Sequence, residues 1–116
     1  MEKLFSIEKI GDVNIIKFQF NELSLDERSQ LKQDLEDLNL AGEDKFIIDV
    51  AKVGFISSLV IATIVFFAKD VRSYKGEVKI SGLSKEAKEI FTITHLDKIF
   101  ELYEVTEDAK ESFRKR

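Results

Sequence analysis

Two apolar runs separated by a pair of serines constrain this chain more than any other feature. The first, Phe46-Ile47-Ile48 within Lys45 to Val50, is too short for a helix and has no polar alternation. It reads as a strand buried on both faces, the pattern of a parallel strand inside a sheet. The second, Leu59 to Ala68, follows Ser57-Ser58. Its β-branched residues would allow a strand by propensity, but the preceding serines and the polar tail Lys69-Asp70-Val71-Arg72 favour a helix running to about Tyr74, stopped by Lys75-Gly76. A buried strand feeding a helix is half of a parallel crossover unit, and that unit confines the chain to a small set of α/β architectures.

The flanking segments extend the pattern. Leu4 to Ile10 and Val13 to Phe20 read as two strands, joined at Gly11-Asp12 by a two-residue hairpin turn that needs the positive φ glycine tolerates. Ile16, Phe18 and Phe20 fall on one face of the second strand. Ser24-Leu25-Asp26-Glu27 has the spacing of a capping box, and Leu31, Leu35 and Leu38 follow at helical spacing before Ala41-Gly42. Beyond the central unit, Glu77 to Gly82 reads as a strand with Val78 and Ile80 on one face. Ser84 caps a helix with Ala87, Ile90, Phe91 and Thr94 on its inner stripe. Ile99 to Val105 reads as a last strand and Thr106 opens a last helix. That helix has Glu107 and Asp108 in its first turn and Arg114-Lys115-Arg116 at its end, as the helix dipole favours. The expected order is β-β-α-β-α-β-α-β-α, one domain over residues 1–116: an α/β fold whose mixed sheet has an N-terminal hairpin and about four helices, with the helices covering one side.

Composition removes several function classes. The chain has no cysteine, so disulfides, thiolate metal sites and cysteine nucleophiles are excluded, and its single histidine, His95, makes a metal site or catalytic dyad a poor reading. Histidine tolerates positive φ better than most residues, and His95 reads as the end or bend of a helix. A formal charge of −4 lacks the basic balance that nucleic acid rewards. The apolar stretch from Leu59 is about half the roughly 20 residues that a bilayer span requires, and no apolar region follows Met1-Glu2-Lys3-Leu4 as in a signal peptide. Cytoplasm is the expected compartment, with no membrane or nucleic-acid partner. No glycine-rich phosphate loop is present, and no cofactor is expected. Asp49, at the end of the buried strand, lacks the companion acidic pair of a receiver domain and reads as a strand-end or loop-capping residue. The ten phenylalanines read as core.

The stretch from Phe46 to Leu59, a hydrophobic strand, a short loop and Ser57-Ser58-Leu59 opening a helix, resembles the signature of the STAS family. So do Lys75-Gly76-Glu77-Val78-Lys79-Ile80, the segment Ile90-Phe91-Thr92-Ile93-Thr94-His95-Leu96-Asp97-Lys98-Ile99-Phe100, and Asn21-Glu22-Leu23-Ser24. The likeness covers almost the whole chain. It implies a STAS-like fold and the role of an anti-sigma factor antagonist, a binding protein and not an enzyme. Its partner would be an anti-sigma factor that is also a serine kinase. In that family the first serine after the motif aspartate is phosphorylated, and an ungapped reading puts Ser58 there, with Ser57 as the alternative acceptor. The implied partner-binding residues are Asn21, Ser24, Asp26, Ser57, Ser58, Leu59 and Val60, with Leu59 and Val60 as apolar anchors beside an exposed helix start. The sequence departs from the family pattern at Ser57 (aspartate), Leu59 (Ser/Thr), Val60 (glycine), Ser24 (aspartate) and His95 (glycine). These departures leave open a second reading, a STAS scaffold or interaction module that is never phosphorylated, either as a homodimer or within a sensory assembly.

Overall fold

The hairpin forms as its turn residues dictate. In the computed structural model, which describes residues 4–20, 22 and 24–114, β1 (Phe5–Ile10) and β2 (Val13–Phe18) pair antiparallel around Gly11, at φ 62°. The chain continues through α1 (Leu25–Leu40), β3 (Lys45–Asp49), α2 (Ser58–Ser73), β4 (Glu77–Ser81), α3 (Lys85–Ile93), a 3₁₀ turn (Leu96–Lys98) and α4 (Thr106–Arg114). The sheet order is β1-β2-β3-β4, with β2, β3 and β4 mutually parallel, so the sheet is mixed.

Register places two rows of side chains across the sheet. Ile16, Ile48 and Ile80 align on one face, and Ile15, Ile47 and Lys79 align on the other. The first face carries the main core, closed by Leu31 and Leu35 of α1, Val60, Ile64, Phe67 and Val71 of α2, and Phe91 of α3. Fully burying each such side chain contributes about 1.5–3 kcal/mol, so this layer dominates the stability. Strand β3 is indeed buried on both faces: Phe46, Ile47 and Ile48 are all inaccessible to solvent.

The helix ends follow local chemistry. Ser24 and Glu27 form the reciprocal capping box, with Ser24 Oγ accepting from Glu27 N at 3.1 Å and Glu27 Oε1 accepting from Ser24 N at 2.8 Å. Ser84 Oγ accepts from Ala87 N. Helix α2 closes with Lys75, not Gly76, in the left-handed region at φ 65°, while Lys75 N and Gly76 N donate to Arg72 O and Val71 O. This is a Schellman ending. Glycine is required at 76 for space: a Cβ there would lie 2.7 Å from Val71 Cγ1 and 3.0 Å from Asp44 O.

Three expectations from sequence are corrected. The helices do not all lie on one side, because α4 covers the opposite face, packing Ala109 and Phe113 against Val13, Ile15 and Ile47. The last strand, Ile99 to Val105, shrinks to a single parallel bridge between Leu102 and Ile80, held by Ile80 N to Glu101 O and Tyr103 N to Ile80 O. His95, at φ 62°, and the 3₁₀ turn after it consume the residues that would have extended the strand, and they turn Leu96 and Phe100 into the core. Thr94 is not on the inner stripe of α3: it is exposed at the helix end, its Oγ1 donating to Ile90 O.

Candidate functional site

The C-terminal ends of parallel strands are where loops with binding roles gather in open α/β sheets. Here the loop from Val50 to Ser57 leaves β3 and delivers the start of α2. Its exit is held by Asp49: Oδ1 accepts from Ala51 N at 2.9 Å, and Oδ2 accepts from Thr106 Oγ1 at 3.0 Å. Thr106 Oγ1 also lies 2.7 Å from Ser81 Oγ, and Val50 N donates to Ser81 O. Asp49 thus ties together the ends of β3 and β4 and the start of α4, which agrees with its reading as a loop-capping residue. Gly82, at φ 77°, passes so close that a Cβ there would collide with Asp49 and Ala51.

The two serines have different environments. Ser57 is the N-cap of α2. It is half-buried, and its Oγ accepts from Val60 N at 3.2 Å. Ser58 is the first helical residue and is exposed. The first turn of α2 contains no acidic residue, whereas those of α1, α3 and α4 carry Asp26 and Glu27, Glu86, and Glu107 and Asp108. The partial positive charge of the α2 N-terminus is therefore not offset by a carboxylate in its own first turn.

The remaining sequence candidates divide. Ser24 and Asp26 are exposed at the start of α1, and Leu25 between them lines the same groove as half-buried Leu59, so the beginnings of α1 and α2 share one region of surface. Asn21 lies outside the described residues. Val60 is not an apolar anchor: it is 0% exposed, packed in the main core. As the third residue of α2 it points inward toward the sheet, and Leu59 lies along the flank. The exposed apolar residue near the serines is instead Phe55, 64% exposed in the loop. It borders a shallow depression of about 430 Å³ shared with Gly54, Glu86, Ala87 and Ile90. Nothing in the sequence separates Phe55 from its apolar loop neighbours Val50, Val53 and Ile56, and only the packing shows that it is the exposed one.

Shifted ionisations lie elsewhere. Lys45, hydrogen-bonded to Asp12, holds that carboxyl below its ordinary range, and Lys9 and Asn14 do the same for Glu43, both beside the hairpin. The Tyr103 hydroxyl, donating at 2.6 Å, lowers Glu101 near the β4 edge. Among the described residues no group of histidines and carboxylates could hold a metal ion, and no helix is long and apolar enough to cross a membrane.

Comparison with known proteins agrees with this architecture. The sequence profile of the STAS domain matches residues 5–109. A protein of Bordetella bronchiseptica named as an anti-sigma factor antagonist, BtrV, is 27% identical over 73 residues, a match spanning 63% of this chain and 63% of the relative, less than two thirds of its length. Among solved structures, a Thermotoga maritima protein described as an anti-sigma factor antagonist superposes with a TM-score of 0.80 at 23% identity, covering 95% of this chain and 94% of that one. The Bacillus cell fate determinant SpoIIAA in its phosphorylated form gives 0.72 at 17% identity, covering 97% and 99%. At these identities the structural likenesses speak for the fold. With the profile match over nearly the whole length, they establish that the chain belongs to the STAS domain family.

Proposed function

We propose that this protein is an anti-sigma factor antagonist-like switch of the cytoplasm. In this reading it acts by binding and not by catalysis, and its partner is an anti-sigma factor that phosphorylates Ser58 and is released by that phosphate. The observation that carries the reading is the division of labour between the serines. The Ser57 hydroxyl is committed to the cap, while Ser58 stands exposed on the first turn of the same helix. A phosphate on Ser58 would bring roughly −1.5 to −2 charges to a helix start that favours anions. The same charge would repel an acidic partner surface and would lose its own hydration beneath a partner seated across Ser24, Asp26, Ser58 and Leu59, so release needs no rearrangement of the fold. The phosphorylated state of SpoIIAA is a precedent in a related fold.

The test is phosphate transfer and partner binding with the anti-sigma factor kinase of the same organism. Wild type should gain one phosphate at Ser58, Ser58→Ala none, and Ser58→Glu should bind the partner roughly tenfold or more weakly, about 1.4 kcal/mol, with an unchanged circular dichroism spectrum. Phosphate on Ser57 would move the site by one residue. A second reading, an unphosphorylated scaffold module, is favoured by Ser57 and Val60 at positions where the family pattern has aspartate and glycine. Absence of any phosphate together with full binding by Ser58→Glu would establish that reading over the first.

A further inference from the structure

From the distribution of charge and exposed apolar surface along α1 and α2, we infer that the groove between these helices binds an amphipathic partner helix whose apolar stripe is flanked by acidic residues. The groove encloses about 560 Å³. Its apolar contacts are Leu25, 77% exposed, half-buried Leu59, and Phe66, 67% exposed. Leu59 and Phe66 are seven residues apart on α2, two turns or about 10 Å along its axis. That spacing matches anchors at i and i+7 of a docking helix. Leaving a leucine and a phenylalanine this exposed along one groove forgoes the stabilisation that burying them would bring.

Charge specifies the flanks. Helix α1 carries five acidic residues and only two cations, Arg28 and Lys32, and both cations line the groove. Lys69 joins them from α2, with Asp70 as the one acidic residue of the lining. A chain of formal charge −4 thus presents an apolar groove with a net basic rim. Such a rim selects acidic partners and repels basic ones. Because the groove begins beside Leu59, the inference rests on the reading that this face binds protein, and it deepens that reading by specifying the partner's chemistry.

The test uses the isotopically labelled full chain and two synthetic amphipathic peptides of about four turns, with leucines at i, i+4 and i+7 flanked by glutamates in one and by lysines in the other. The glutamate peptide should shift amide resonances of Leu25 to Lys32 and of Leu59 to Asp70. Its affinity should fall roughly tenfold or more in Arg28→Glu/Lys32→Glu and in about 0.5 M salt, where screening is short-ranged, and the lysine peptide should not bind. Equal binding of both peptides, shifts confined to another surface, or no binding would overturn the inference. So would a dimer in sedimentation that Phe66→Asp converts to monomer, because a second copy would then own the groove. Circular dichroism of the charge-reversed variant separates lost binding from lost folding. If the peptide fails while Ser58 is phosphorylated normally, the groove inference alone falls. If the peptide binds and no kinase modifies Ser58, the switch reading alone falls.

Discussion

The two faces of the sheet solve the burial problem differently. On one, the row Ile16–Ile48–Ile80 is wholly apolar and is sealed by three helices. On the other, the row Ile15–Ile47–Lys79 ends in a lysine that is 1% exposed beneath the single helix α4. The Lys79 ammonium donates to Ser112 Oγ, lies 3.5 Å from Glu101 and 3.8 Å from Glu77, and sits 4.2 Å from the ring centroid of Phe113. A buried charge persists only when paired and hydrogen-bonded, and these contacts come from β4, α4 and the Glu101–Tyr103 segment together. The apolar face therefore supplies stability. On the other face the Lys79 contacts link α4 and the abbreviated edge segment to β4 beside the apolar cluster of Val13, Ile15, Ile47, Ala109 and Phe113. Through Thr106 and Asp49 the same face reaches the loop that carries the serines.

The largest loss is expected on the apolar face. Ile48→Ala should cost about 2–5 kcal/mol, the range for a fully buried large-to-small change, read as a lowered denaturant midpoint with little change in slope. A loss under about 1 kcal/mol would mean that the central row is not the stability centre.

On the polar side, Glu77→Gln with Glu101→Gln strips the carboxylates from Lys79 and should cost about 3 kcal/mol, near the low end for uncompensated buried charges because both carboxylates are partly exposed. Adding Lys79→Met to that pair should restore most of the loss, since a well-packed apolar replacement of a buried ion cluster is often neutral. If the triple variant is no more stable than the double, the loss did not come from an uncompensated ammonium.

Asp49→Ala removes two hydrogen bonds and should cost about 2 kcal/mol. It should also accelerate hydrogen exchange across residues 50–57, which the carboxylate anchors to β4 and α4 through Ala51 and Thr106. Unchanged exchange there would disconnect the polar face from the serine loop.

The smallest effect is a pH dependence. The Glu101 carboxyl is lowered below its ordinary 4.5, first by the Tyr103 hydroxyl, with burial opposing and Lys79 adding to the lowering. A folded-state value below the unfolded one means that the ionised form stabilises the fold. That contribution is complete above about 4.5 and drains away as pH falls through the lowered value. Tyr103→Phe should flatten this acid limb, measured as denaturant midpoints between about pH 7 and pH 3. An unaltered limb would assign the acid sensitivity to other carboxylates such as Glu43, which is also lowered.

Much of the fold was legible in the residues. Ser24, Ser57 and Ser84 announced three helices because a cap is a bond between groups three residues apart. Gly11 and His95 announced positive φ for reasons internal to those residues. The site was legible as a pair of serines opening a helix, while the division between them, Ser57 as cap and Ser58 one residue in, came from the structure. Three features were not legible. Leu59 and Val60 are adjacent apolar residues, and which of them points inward depends on the rotation of α2 over the sheet. Ile99 to Val105 has the composition of a strand, but the turn that buries Leu96 and Phe100 takes its first residues. Lys79 alternates correctly for a solvent-facing position, yet α4, more than 25 residues later, closes over it.

Hydrogen bonding and hydrophobic period act over a few residues, and the residues alone were enough for the order of elements through α3, the helix starts and the parallel core. Packing between elements sets which face each helix covers, makes Val60 core while Phe55 and Phe66 are surface, and brings Arg28, Lys32 and Lys69 to one groove. Those outcomes depend on packing between segments distant in the chain, α4 against β2 above all, and the free energy of burial is settled where the segments meet.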